Sequence, residues 1–153
     1  RVIRKLIFDS RTGEEDRVTA LWNNILPKFN INLDNGYSIN SEYPTKCGDK
    51  ADIVVINILQ YEKIIMVIEC KSIKHDNRTG WDMAATQLYK YISDLECNKG
   101  IIAIGHKFRF VTKSDSFISD INSLVEYNWE DSFDDNFNDI YQNFNIFLEN
   151  ILY

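Results

Sequence analysis

Two acidic residues and a lysine lie in otherwise apolar segments, where charged side chains are costly to bury. Asp52 lies in the segment ADIVVINI (51–58), and Glu69 and Lys71 lie in KIIMVIECK (63–71). Both segments are rich in Ile and Val, which predicts buried strands. Side chains two positions apart on a strand share a face, so Glu69 and Lys71 place a carboxylate beside an ammonium group. Such charges either form an ion pair at the end of a strand or bind a metal ion.

A hairpin between these two strands brings the two carboxylates together. If the turn is centred between Gln60 and Tyr61, Asp52 faces Glu69 across the hairpin, with the side chains about 5 Å apart. Neighbouring carboxylates repel each other unless a cation lies between them, and Mg²⁺ binds oxygens of this kind. The turn contains no glycine or asparagine that would define the register, and a shift by one residue would move Asp52 to the other face.

The order Asp52, Glu69, Lys71 on neighbouring strands resembles the D…(D/E)xK motif of the PD-(D/E)xK nuclease superfamily. The sequence reads GDKADIVV and then VIECK, without the proline that often precedes the aspartate. Nucleases of the RecB and lambda-exonuclease types also carry Q-x-x-x-Y on the following helix, which Gln87 and Tyr91 match. The resemblance implies a restriction-endonuclease-like fold and metal-dependent hydrolysis of nucleic acid, with DNA favoured, and it implies that these five residues are catalytic.

The same resemblance implies a site for Mg²⁺ or Mn²⁺. Its ligands would be the two strand carboxylates, Asp52 and Glu69, and the backbone carbonyl of Cys70. Relatives such as the archaeal Holliday-junction resolvases add a glutamate from the first helix, and Glu15 matches that position. Glu14 is an alternative because its helical face also runs towards the apolar side of the helix.

Basic residues flank these positions and are candidates for binding a phosphate backbone. Lys50 precedes Asp52, and Lys74 and Arg78 follow the second strand. Nearby candidates of the same kind are His75, His106, Lys107 and Arg109. Loop charges of this sort also serve simply to solubilise a protein, and a lone loop histidine is not assigned as a metal ligand.

The overall charge opposes this interpretation. The chain has 153 residues and a net charge of −6, the wrong sign for a general nucleic-acid binder. The alternative function is therefore a catalytically inactive nuclease-like module that binds nucleic acid or a protein partner within a larger polypeptide. The absence of an initial methionine is compatible with a domain excised from such a polypeptide.

The elements needed to position these residues are those of an α/β protein. A capping box of Thr12 and Glu15 predicts a first helix that ends near Pro27, and Thr79 is the candidate N-cap of a helix over 81–95. Strands are predicted over 37–43, 51–58, 63–71, 100–105 and 108–111. One domain, 1–153, is thus expected, with a central mixed sheet flanked by helices in an αβββαβ core.

An extra C-terminal helix carries an aromatic stripe: Phe133, Phe137, Ile140, Tyr141, Phe144, Phe147, Leu148 and Ile151. This stripe can belong to the core, to a homodimer interface or to the interface with an adjacent domain.

The three cysteines and the apolar runs indicate the environment. An odd, scattered set of cysteines argues against a disulfide framework and a zinc site, and it predicts a reducing intracellular compartment such as the cytoplasm or nucleus. No apolar run approaches the roughly 20 residues of a membrane span, so no membrane association is expected.

Overall fold

A six-stranded mixed sheet flanked by helices forms the computed structural model, in which residues 2–113, 120–130 and 137–152 are described. The strands lie side by side in chain order: β1 Tyr37–Pro44, β2 Lys50–Asn57, β3 Lys63–Lys71, β4 Lys99–Ile104, β5 Lys107–Thr112 and β6 Tyr127–Asn128. Neighbours are antiparallel except β3 and β4, which are parallel and are joined through a helix. The predicted α/β class with a mixed central sheet is confirmed.

Within the described residues, four α-helices flank the sheet: α1 Val2–Thr12, α2 Glu15–Ile25, α3 Arg78–Asp94 and α4 Phe137–Leu152. The sequence did not predict α1, and the predicted capping box is wrong. Thr12 ends α1, where its hydroxyl donates a hydrogen bond to the carbonyl of Phe8 at 3.4 Å. Glu14 occupies the N-cap of α2 and makes no side-chain capping bond. Among the apolar α1 residues whose side chains are described, only Ile7 is buried, so this helix contributes little to the core.

The start of α3 also differs from the prediction. Asn77, not Thr79, is the N-cap, because its side-chain oxygen accepts a hydrogen bond from the Gly80 N–H at 2.8 Å. A Cβ atom at Gly80 would lie 1.9 Å from the carbonyl oxygen of His75. The loop after β3 therefore packs directly on the first turn of α3, and only glycine fits there.

Two hydrophobic layers cover the two faces of the sheet. One layer holds α1, α2 and α4, and the other is built mainly from α3. In the first layer the ring of Phe144 stacks on Phe29 at a centroid distance of 4.2 Å, and Phe147 stacks on Phe110 at 4.5 Å. Together with Ile140 and Leu148, these α4 side chains are buried in the core. Phe133 and the neighbouring acidic residues of the predicted helix start lie outside the described residues.

Cys47, Cys70 and Cys97 are free thiols, of which the last two are buried. In the described part of the chain, no helix combines the length and the apolarity that crossing a membrane requires.

Candidate functional site

The β2–β3 hairpin sets the position of the two strand carboxylates. Its turn is centred on Gln60, because Asn57 pairs with Lys63 next to the turn. The predicted turn, between Gln60 and Tyr61, is wrong by half a residue. A β-bulge then shifts the register between Val55 and Ile56. Without this bulge, Asp52 would face the position of an apolar residue on β3.

Beyond the bulge the register is the one predicted for the site. Ile53 pairs with Ile68, which makes Asp52 and Glu69 the next residues in line. The backbone pairing between these two fully described strands ends at Ile53 and Ile68. Beyond it, the backbone N–H of Cys70 donates a hydrogen bond to the side chain of Asp52, at Oδ2, over 2.7 Å. The aspartate thus stands in the fork where the two strands separate, held by the backbone of β3.

Helix α2 adds a third carboxylate to this fork. Oxygen atoms of Glu15, Asp52 and Glu69 all lie within 4.8 Å of one another. Lys71 completes the group, with Nζ 3.6 Å from Glu69 Oε1 and 3.9 Å from Glu15 Oε1. Of the two rival helix residues, Glu15 lies in this cluster, whereas Glu14 forms an ion pair with Lys74.

The negative charge in this cluster is not balanced by the lysine. Glu69 is only 2% exposed, and burial together with the hydrogen bond to Asp52 raises its pKa to about 10, although Lys71 acts in the opposite direction. Burial and the charge of Asp52 also raise the pKa of Glu15. Within the described residues, Glu69 Oε2 is buried without a hydrogen-bond partner. An added cation would relieve both the repulsion and the missing contact.

Gln87 and Tyr91 lie together on α3. Gln87 Nε2 donates a hydrogen bond to Tyr91 Oη at 2.7 Å, and Tyr91 is 1% exposed. Burial, then the negative charges of Glu69, Asp49 and Asp52, raises the pKa of the tyrosine hydroxyl, while the bond from Gln87 lowers it. The pair therefore lies within electrostatic reach of the carboxylates, and its contact with substrate stays a prediction.

Cys70 contributes its backbone to the site, while its side chain lies elsewhere. The thiol is fully buried in the core layer that contains α2 and α4, and this burial raises its pKa well above the ordinary value. The N–H of Cys70 orients Asp52, as described above. The role of its carbonyl as a metal ligand stays a prediction.

The predicted phosphate-binding residues have different surroundings. Lys74 Nζ lies 3.7 Å from Glu14 Oε2, and Arg78 forms an ion pair with Asp120 at 3.2 Å. Lys50 is exposed and has no ion-pair partner among the described residues. Their contacts with nucleic acid stay predictions.

Arg109 has a structural role. It is buried, stacks over Trp81 at 3.9 Å from the ring centroid and donates a hydrogen bond to Glu126 at 2.8 Å. Lys107 is likewise paired, with Asp76. The suggestion that these two residues grip a phosphate backbone therefore loses its support.

A groove of about 370 Å³ runs from the carboxylates along α2 and β1. Sequence reasoning did not find it. Its polar lining on α2 consists of Asp16, Thr19 and Asn23, whose spacing of three and four residues could have indicated a polar face. On β1 it is lined by Ser41 and by Glu42, whose φ of 50° lies in the left-handed region.

Comparisons of the chain with known protein families, with curated proteins and with solved structures gave no match.

Proposed function

We propose that this chain is a Mg²⁺- or Mn²⁺-dependent nuclease with a restriction-endonuclease-like fold, of the PD-(D/E)xK type, acting on DNA. One observation carries the proposal. Carboxylates from α2, β2 and β3 converge within 4.8 Å at the point where β2 and β3 separate, with Lys71 beside them. Segments that are far apart in the sequence meet here and concentrate charge in an otherwise apolar sheet. Such charge destabilises the fold unless it is paired or binds a metal ion, so its presence points to a functional site.

The donor set suits a hard divalent cation. All three side chains offer carboxylate oxygens, the ligands that Mg²⁺ and Mn²⁺ prefer, and Glu69 Oε2 has no partner among the described residues. The exposed position of Glu15 keeps the site accessible to water and substrate. When bound there, the cation would lower the pKa of a coordinated water and neutralise phosphate charge.

The residues of the chain supply orientation and a positive charge. The N–H of Cys70 holds Oδ2 of Asp52, which orients this carboxylate for binding a cation. Lys71 is positioned between Glu15 and Glu69, where its ammonium can hold the attacking water or stabilise negative charge that develops on the phosphate. The hydrogen-bonded pair of Gln87 and Tyr91 supports the site from α3.

Incubation of the protein with labelled single-stranded DNA, duplex DNA and RNA tests this proposal. Cleavage is expected with Mg²⁺ or Mn²⁺ and not with EDTA. Asp52→Asn, which keeps the size of the side chain, should reduce cleavage by about 100-fold or more, because it removes a charged ligand at the reacting phosphate. Asp34→Asn, an exposed aspartate in the turn before β1, is the matched control.

A second function, an inactive nuclease-like module, is favoured by the net charge of −6 and by the ion pairs that neutralise Lys74 and Arg78. It predicts a different outcome in the same assay. Mn²⁺ would raise the melting temperature of the wild type but not of Asp52→Asn, while no nucleic acid would be cleaved. No rise with metal in the wild type would contradict both functions.

A further inference from the structure

The basic side chains around the three carboxylates divide into paired and unpaired groups. The paired ones are Lys74 with Glu14 at 3.7 Å, Arg78 with Asp120 at 3.2 Å and Lys90 with Asp49 at 3.3 Å. Each of these cations has a carboxylate neighbour, which offsets its attraction for a phosphate group. Sequence position alone therefore does not tell which cations are available to a substrate.

Lys50 and His75 are two basic residues near the fork that belong to the unpaired group in the described part of the chain. Among the described residues, neither side chain forms a hydrogen bond or an ion pair. Lys50 precedes Asp52 by two residues on β2, about 7 Å along the strand, and it pairs with Pro44 of β1. It therefore lies beyond Asp52 along β2, towards the turn that joins β1 and β2.

His75 lies on the β4 side of the carboxylates. Its loop follows β3 and packs over the β4–β5 turn, where a Cβ at Gly105 would lie 2.6 Å from Ile73. The imidazole is close enough to Glu15 to help lower the pKa of that carboxyl. The fork with its carboxylates thus lies between His75 and Lys50.

The backbone at His75 is held firmly. Its N–H donates a hydrogen bond to the carbonyl of Ser72 at 3.0 Å, and its own carbonyl accepts one from the N–H of Asn77 at 2.8 Å. Gly80 lies against the same carbonyl with no space for a side chain. A half-buried imidazole on such a rigid loop loses little entropy when it binds a ligand, because its backbone is already ordered.

This inference rests on the proposed nuclease function and names the path of its substrate. We propose that one strand of DNA crosses the fork from Lys50 to His75, and that these two side chains bind the phosphates on either side of the one that is cleaved. Lys74 and Arg78 lie outside this path. A second strand on the α2 side would face Asp16 and Glu42 in the groove, so single-stranded DNA is the preferred form.

Binding of a fluorescent 20-nucleotide DNA strand, with Ca²⁺ in place of Mg²⁺ to suppress cleavage, tests the path. Lys50→Gln and His75→Ala should each weaken the affinity about threefold to tenfold, and Lys50→Gln should reduce the salt slope by about 1. His75→Asn keeps an N–H donor and should recover part of the loss. Lys74→Gln and Arg78→Gln should each change the affinity less than twofold. Lys90→Gln is the matched control for the loss of a paired lysine.

Each outcome bears on the path. Equal losses in all four variants, or tighter binding of duplex than of single-stranded DNA, would overturn it. A wild type that cleaves DNA while Lys50→Gln and His75→Ala keep full affinity would overturn the path and leave the nuclease function standing. No binding and no cleavage by the wild type would overturn both. Melting temperatures with and without Mn²⁺ show whether each variant is folded and keeps its metal site.

Discussion

Two clusters of charged side chains lie at the same end of the sheet, and they differ in the balance of their charges. The first is the fork, where three carboxylates share one lysine. The second, here called the β5 cluster, contains two acids and two bases: Asp76, Glu126, Lys107 and Arg109. Its closest pairs are at 2.7 and 2.8 Å, against 3.6 and 3.9 Å at the fork.

The pKa values of the two clusters move in opposite directions. At the fork, burial and Asp52 raise the pKa of Glu69 to about 10. In the β5 cluster, burial also acts to raise the pKa of Asp76, but hydrogen bonds from Lys107 and Trp81 outweigh it, so the pKa is lowered. The balanced cluster stabilises the fold by joining β5 to the loop after β3 through Asp76, and to the segment before β6 through Glu126. An unbalanced one is suited to taking up a cation.

The largest effect expected from this comparison is a separation of activity from stability. Lys71→Met should reduce cleavage by about 100-fold or more, because the fork loses the ammonium group that lies beside Glu15 and Glu69, and the fold should persist. Lys107→Met should leave the rate of cleavage within about twofold of the wild type and lower the melting temperature. Cleavage rates and thermal melts of both variants measure this separation, and a collapse of activity in Lys107→Met would remove it.

Arg109 tests how much the balanced cluster stabilises the fold. Arg109→Ala removes a buried cation that binds Glu126 and stacks on Trp81, so the free energy of unfolding should fall by about 2–3 kcal/mol. The control Arg17→Ala breaks an exposed ion pair with Asp9 at 3.8 Å and should cost less than about 0.5 kcal/mol. Urea denaturation measures both, and similar small changes would contradict a structural role for the β5 cluster.

Glu69 is expected to destabilise the metal-free protein. Between pH about 4.5 and about 10, the native state binds a proton on Glu69 that the unfolded state releases, so the free energy of unfolding falls as pH rises. Glu69→Gln should therefore raise it by on the order of 1–3 kcal/mol at pH 8 in EDTA.

The same variant should no longer be stabilised by Mn²⁺, because a ligand is lost. Denaturation with and without metal gives both values. Glu62→Gln, in the exposed hairpin turn, is the control that should show neither change. A less stable Glu69→Gln in EDTA would mean that the buried carboxyl is not a source of strain.

The smallest effect is the acid response of the β5 cluster. The folded pKa of Asp76 is lowered, so its contribution to stability is present above the ordinary value of 3.8 and is lost as pH falls through the folded pKa. Asp76→Asn should reduce the fall in the free energy of unfolding between about pH 5 and about pH 3. Above about pH 6 the dependence of this free energy on pH should be the same as in the wild type. An unchanged acid limb would show that Asp76 is not stabilised by its partners.

Periodicity and residue type were sufficient for the main elements. Strands β1 to β5 and the α/β class follow from local patterns that the structure keeps. Helix α1 was not predicted. The starts of α2 and α3 were wrong, because capping depends on which side chain reaches an N–H group. Thr12 and Thr79 have suitable side chains, but the chain places Glu14 and Asn77 at the two N-cap positions.

For this protein the sequence by itself determined which residues carry the charge: Asp52 in one apolar strand, and Glu69 and Lys71 in the next. It also placed the uncharged Gln87 and Tyr91 on one helical face. The tertiary structure decided how those charges are compensated. The bulge between Val55 and Ile56 corrects the register at Asp52, and the packing of α2 brings in Glu15. Pairing between distant segments, such as Lys74 with Glu14 or Arg109 with Glu126, has no local signal because electrostatic energy depends on distance in space.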